Sequence, residues 1–195
     1  MLITASTLLH IPVMSLQTGS ELGRTAREII DPRNLSIVAY ELDGPLLDQD
    51  PTLLRLEDVR EISPLGMIID SADELVGIAD VIELKKVYEY NFQLLDKPVF
   101  DEKGHKIGRV NGYTLMSGNF IIQQLSVRRP LLKSFGDTGM LIHRSQVTKV
   151  TDQRIIVKSA TVSRKEEEID TPHLTTYTNP FRKVPKPGPT EPDAA

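Results

Sequence analysis

Apolar residues along this chain come in short runs bounded by Gly, Pro, Asp and Asn. "LSIVAYEL" (35–42) and "FIIQQLSV" (120–127) are rich in β-branched and bulky residues, and "GMIID" (66–70) and "RIIVK" (154–158) are shorter apolar runs closed by polar residues. Runs of this length with these flanks predict strands in preference to buried helix. "GSELGRTAREII" (19–30) and "GHKIGRVNGYTL" (104–115) each open on a glycine, which supplies the positive φ of a tight turn, and carry a second glycine four residues on. A turn leading into a strand is expected in both. "SADELVGIADVIELKKVYEY" (71–90) differs: Ser71 and Glu74 have capping-box spacing, and Leu75, Ile78, Ala79 and Ile82 share one helical face. A connecting helix over 72–91 is expected.

The strand-like segments form two ordered series. Residues 19–47 align with 104–132 at a constant offset, with identity at Gly19/Gly104, Gly23/Gly108, Arg24/Arg109, Asn34/Asn119, Ile37/Ile122 and the tripeptide Pro45-Leu46-Leu47/Pro130-Leu131-Leu132. Beyond the tripeptide the offset grows by three residues and pairs Leu53/Leu141, Val59/Val147, Ile62/Val150, Ile68/Ile156 and Ser71/Ser159. An ordered set of matches with one small insertion indicates internal duplication. Short antiparallel strands must close up or expose their edges, so each repeat is expected to be a small β-barrel. The expected organisation is a mainly β chain: a first repeat over 1–71, a connecting helix over 72–91, a second repeat over 92–162 and a tail over 163–195. The tail has no apolar periodicity and holds six of the 13 prolines, so it reads as disordered.

Composition narrows the chemistry. The 195 residues are 39% hydrophobic and include no cysteine, which removes disulfides, thiolate metal sites and a Cys nucleophile from this chain. His10, His105, His143 and His173 never fall at metal-ligand spacing, and no H-E-x-x-H, nucleophile elbow or phosphate loop is present. Catalytic, cofactor-binding and metal-ligating residues are therefore expected to be none. No run reaches the roughly 18 apolar residues of a membrane span, and the first residues lack a basic signal-peptide start, so a cytoplasmic protein is expected. Asn34-Leu35-Ser36 fits the glycosylation sequon but reads as a turn before a strand.

Charge changes the picture most. Residues 1–90 carry 7 Lys+Arg against 16 Asp+Glu, net −9, whereas 97–165 carry 13 against 4, net +9; the whole chain is −4. Aligned positions reverse sign at Glu21/Lys106, Asp43/Arg128 and Asp48/Lys133. The basic repeat offers Arg128, Arg129, Lys133, His143 and Arg144 as candidate partner-binding residues.

The glycine turn G-x-x-[LI]-G-R, Asp31-Pro32 at the end of the next strand, Val59/Val147 and the Ile68/Ile156 strand followed by Ser71/Ser159 resemble the PRC-barrel, the photosynthetic reaction-centre barrel domain. The second repeat departs from that pattern at Asp31-Pro32, where it has Met116-Ser117. The domain occurs in the reaction-centre H subunit, in a ribosome maturation factor and in many small prokaryotic proteins. The resemblance covers roughly residues 5–162 and implies a bent β fold used for docking, with no shared catalytic residues. The expected function is non-catalytic docking onto a protein or large assembly. Association with ribosomal RNA as a maturation factor, or with an anionic membrane surface as part of a complex, are the alternatives. Scarce aromatic residues, 5% of the chain, count against base stacking.

Overall fold

The computed structural model describes residues 1–129 and 139–159. The tail over 163–195, Lys133, the second Pro-Leu-Leu and its insertion lie outside the described residues. Met1–Ala160 cluster as one compact unit. Its strands in chain order are β1 (Leu2–Thr4), β2 (Pro12–Ser15), β3 (Glu21–Asp31), β4 (Ser36–Asp43), β5 (Thr52–Arg55), β6 (Glu61–Ser63), β7 (Gly66–Ile69) and β8 (Leu75–Gly77). Helix α1 (Ile82–Tyr90) follows, then β9 (Pro98–Asp101), β10 (Lys106–Met116), β11 (Ile122–Arg128), β12 (Gly139–His143), β13 (Val147–Val150) and β14 (Ile155–Val157). The expected mainly β class is what forms.

The two series of strands build two sheets with one topology. The first runs β6-β7-β2-β3-β4-β5-β8 and the second β13-β14-β9-β10-β11-β12, with β1 added on β10. Each sheet has a single parallel pair at the equivalent place: Val13 opposes Met67 in the first and Val99 opposes Ile155 in the second. Gly19 and Gly104 open the long strands at φ 67° and 84°, the conformation that only glycine adopts cheaply. Both sheets are open paths, and no ladder among the described residues joins their outer strands.

The inner faces share one core. Val13, Ile30, Ile37, Tyr40, Leu54, Met67 and Ile69 of the first repeat and their counterparts Val99, Leu115, Ile122, Leu125, Ile142, Ile155 and Val157 belong to the same buried cluster. The repeats join at their β3–β4 and β10–β11 hairpin tips. Ser36 bridges Ile121 in antiparallel register, the Ile37 N–H donates to the Phe120 carbonyl at 3.1 Å, and the Ile122 N–H donates to the Leu35 carbonyl at 2.9 Å. Ser36 meets its own counterpart Ile121, and the two flanking hydrogen bonds are counterparts of each other, so the junction has approximate two-fold symmetry within one chain. The buried Tyr113 hydroxyl extends it by donating to Glu28, its counterpart in the first repeat, at 2.7 Å.

The linking segment corrects the sequence reading. The helix expected over 72–91 forms only from Ile82 to Tyr90; Ala72–Glu74 is a single 3-10 turn and Leu75–Gly77 is strand β8, paired with β5. Ser71 does cap, accepting from the Asp73 N–H at 3.2 Å, but what it starts is the short turn. An open strand edge on β5 takes the next three residues, and Asp80 accepts the Gly77 N–H at 2.7 Å to end them. The helix then lays Leu84, Val87 and Tyr88 over Ile29, Ala39 and Leu53 on the outer face of the first sheet. Ile82, placed on the buried face by the expected helix, is 70% exposed.

A continuous core has a measurable consequence. Leu115→Ala, at a fully buried position of the second sheet, is expected to cost about 2–5 kcal/mol. Urea unfolding followed by circular dichroism is expected to remain one transition at a lower midpoint; two separated transitions would mean that the halves unfold independently.

Candidate functional site

Away from the tip junction, each long hairpin ends in a pair of facing residues. In the first repeat Arg24 stands opposite Asp43, bridges Glu21 at 2.8 Å and donates to the His10 carbonyl at 3.3 Å. In the second, Arg109 stands opposite Arg128 and donates to the Asp96 carbonyl at 2.8 Å, while Lys106 replaces Glu21. His10 and Asp96 both hold left-handed backbone, φ 61° and 60°. The same backbone frame therefore holds the same arginine twice, once between two acids and once between two bases. Like charges directly opposed across strands are destabilising.

Ion pairing follows the same division. Every described arginine of the first repeat has a carboxylate: Arg24 with Glu21, Arg27 with Glu41, Arg33 with Asp31, Arg55 with Glu57 and Asp58, and Arg60 with Asp70. No carboxylate of a described residue bridges Arg109, Arg128, Arg129, Arg144 or Arg154 of the second. The cross-strand pair Arg27–Glu41 has Gly112 and Ser126 as its counterparts, so the second sheet lost both charges there.

The residues expected from sequence do not form one cluster. Arg128 is exposed at the end of β11, and Arg129 follows it half-buried, with its Nη2 4.0 Å from the Met140 sulfur. His143 and Arg144 lie at the other end of β12. There the His143 ring caps a 3-10 turn, its Nδ1 accepting the Ser145 N–H at 3.2 Å. Arg144 donates to the Leu35 carbonyl at 3.2 Å and so ties the two repeats together. Lys133 lies outside the described residues. Lys106 and Arg109, which stand beside Arg128, are not among the residues expected from sequence; the signal was present in the alignment, because the hairpin register that opposes Arg24 to Asp43 must oppose Arg109 to Arg128.

No model of a known protein family matches the chain. No curated protein matches it either. Among the described residues no group of three or more His, Asp or Glu side chains could hold a metal ion, and no helix is long and apolar enough to cross a membrane. A cleft of about 480 Å³ lies between α1 and the tip of the β10–β11 hairpin, lined by Arg33, Arg55, Glu57, Glu83, Leu84 and Phe120. Both arginines in it are already neutralised by carboxylates, which leaves little to orient a charged ligand.

Asp31 is the buried charge of this region. Burial alone would push its carboxyl up, but the bidentate Arg33 guanidinium, the Arg33 N–H and the attraction between the two charges together hold it below the ordinary aspartate range. A folded-state value below the unfolded one stabilises the fold above the unfolded value, and the effect is lost as pH falls through the folded one. Asp31→Asn is therefore expected to be less stable than the parent at pH 7 and to converge on it as pH drops below about 4. Urea midpoints measured for both proteins across that range check this; a constant gap would assign the difference to shape and not to charge.

Proposed function

We propose that the chain is a non-catalytic docking protein built from two PRC-barrel-like repeats, and that it binds an acidic protein surface through Lys106, Arg109 and Arg128. The observation that carries this reading is the exchange of an acid–arginine–acid arrangement for base–arginine–base on an unchanged backbone frame. Such a cluster has no carboxylate partner among the described residues, so its field is directed at something outside the sheet. Duplication explains why the frame is retained: Arg109 keeps the carbonyl bond that Arg24 makes, and only its neighbours have changed.

A protein partner suits the surface better than RNA. On the second sheet Tyr113 and Phe120 are buried and Arg154 lies over the half-buried Phe100 ring at 5.7 Å, so its described strands offer little ring surface for a base to stack on. Three cations near a lipid surface would contribute about 1 kcal/mol each, too little to hold a protein there without a further anchor.

The test follows from the duplication itself. Lys106→Glu with Arg128→Asp writes the first repeat's pattern into the second, so the variant is expected to be at least as stable as the parent at low salt. Binding to immobilised poly-L-glutamate is expected to fall by about tenfold or more in that variant, and parent binding to exceed that to double-stranded RNA or phosphatidylglycerol vesicles at matched salt. Equal binding of parent and variant would remove these residues from any docking role, and a preference for RNA or vesicles would overturn the protein reading.

A further inference from the structure

The acidic surface that this basic end would recognise is present on the chain itself. At the end of the β3–β4 hairpin a cleft of about 620 Å³ is lined by His10, Glu21, Arg24, Asp43, Pro45 and Leu46. Leu46 is 72% exposed at its rim, and Asp48 and Asp50 are exposed beyond it. This end has the backbone frame of the Lys106–Arg128 end and the opposite charge. Gly23 and Gly108 fix both frames alike, since a side chain at either would press on the carbonyl of the facing residue, Asp43 or Arg128.

The two ends cannot meet within one molecule. Strands β4 and β11 start from the antiparallel Ser36–Ile121 bridge and leave it in opposite directions, so Asp43 and Arg128 lie at the far ends of the two hairpins. Resting on the docking reading above, we infer that the acidic partner is a second molecule of this chain, and that molecules associate head to tail, the Lys106–Arg109–Arg128 end of one on the Glu21–Asp43–Leu46 end of the next. Because the two hairpins share one frame up to Asp43 and Arg128, the contact repeats between molecules the approximate two-fold relation that the hairpin tips make within one. It joins different surfaces, however, so it propagates into chains unless the rotation between molecules closes a ring. A contact of a few charges around one exposed leucine belongs to the weak, transient class of interfaces, and its strength depends on concentration and salt.

Sedimentation velocity on the full chain tests this with two variants. One is Lys106→Glu/Arg128→Asp, which leaves two acidic ends; the other is Glu21→Lys/Asp43→Arg, which leaves two basic ends. The parent is expected to show a concentration-dependent rise in mean mass at about 20 mM salt and to lose association by at least about tenfold near 200 mM. Each variant alone is expected to stay monomeric, and an equimolar mixture to recover the mass increase. A parent that remains monomeric at low salt, or a variant that associates alone as the parent does, overturns the inference. Should the parent be monomeric yet still bind poly-L-glutamate through Lys106 and Arg128, docking stands with a different acidic partner; loss of both would end both readings.

Discussion

Two carbonyls held in an unfavourable conformation organise this molecule. Leu35 and Phe120 sit at φ 46° and 52°, left-handed backbone that costs a bulky residue about 1–3 kcal/mol. Both are retained because the same turn does two things at once. It drives the Leu35 and Phe120 side chains into the common core, at 5% and 6% exposure, and burying such a side chain returns about 1.5–3 kcal/mol. It also aims each carbonyl at the N–H of the other hairpin, Ile122 for Leu35 and Ile37 for Phe120. The Arg144 guanidinium adds a second donor at Leu35. Without that reciprocal exchange the two sheets would lack a fixed register on each other, and the shared core would have no reason to be continuous.

A junction with two-fold character uses one end of each hairpin and leaves the other end of each unused. The repeats could diverge only where the junction does not constrain them, and that is where they differ. Core counterparts stay apolar, as in Ile37/Ile122 and Leu54/Ile142, whereas the outer faces separate. Ile29 and Ala39 under α1 become Thr114 and Gln124 in the second sheet, and buried Leu53 becomes Leu141, 64% exposed. The pieces that break the symmetry come from the chain's connections. β1 crosses to pair Leu2–Thr4 with Thr114–Met116, and β8 extends the first sheet. The boundary between repeats in the sequence is thus not the boundary between sheets in the fold.

The strands were legible because duplication wrote each one twice, and two weak signals in register outweigh one. The helix was read too long because capping-box spacing at Ser71 and Glu74 describes how a turn begins and carries no information on how far it continues. What decided the matter was the unpaired edge of β5, a tertiary circumstance that local periodicity does not record. The candidate site was half legible: sign reversal at positions 21/106 and 43/128 located the divergence, but selecting residues by charge alone gathered His143 and Arg144, which lie at the other end of β12 and bond a turn and the Leu35 carbonyl. A residue's availability depends on its hydrogen-bond partners, and those appear only once the chain is folded.

Opposite charges on matched ends are a different matter from charges that keep a protein soluble. Solubility is served by one sign in excess on every surface, which also keeps molecules apart. Here the excess is split, and no ion pair among the described residues joins the acidic end to the basic one. Strand β4 alone has eight residues and spans about 25 Å, and β11 leaves the bridge the other way, so the acidic and basic ends are separated by several Debye lengths of about 8 Å at physiological salt. At that distance the two ends exert almost no force on each other through solvent. Lys106 and Arg128 also oppose their neighbour Arg109 on the same sheet, a local cost that charges chosen for solubility could have avoided by lying a strand away. An arrangement unfavourable locally, with no carboxylate partner among the described residues, makes physical sense under the proposed docking, where an acidic surface outside the molecule completes it.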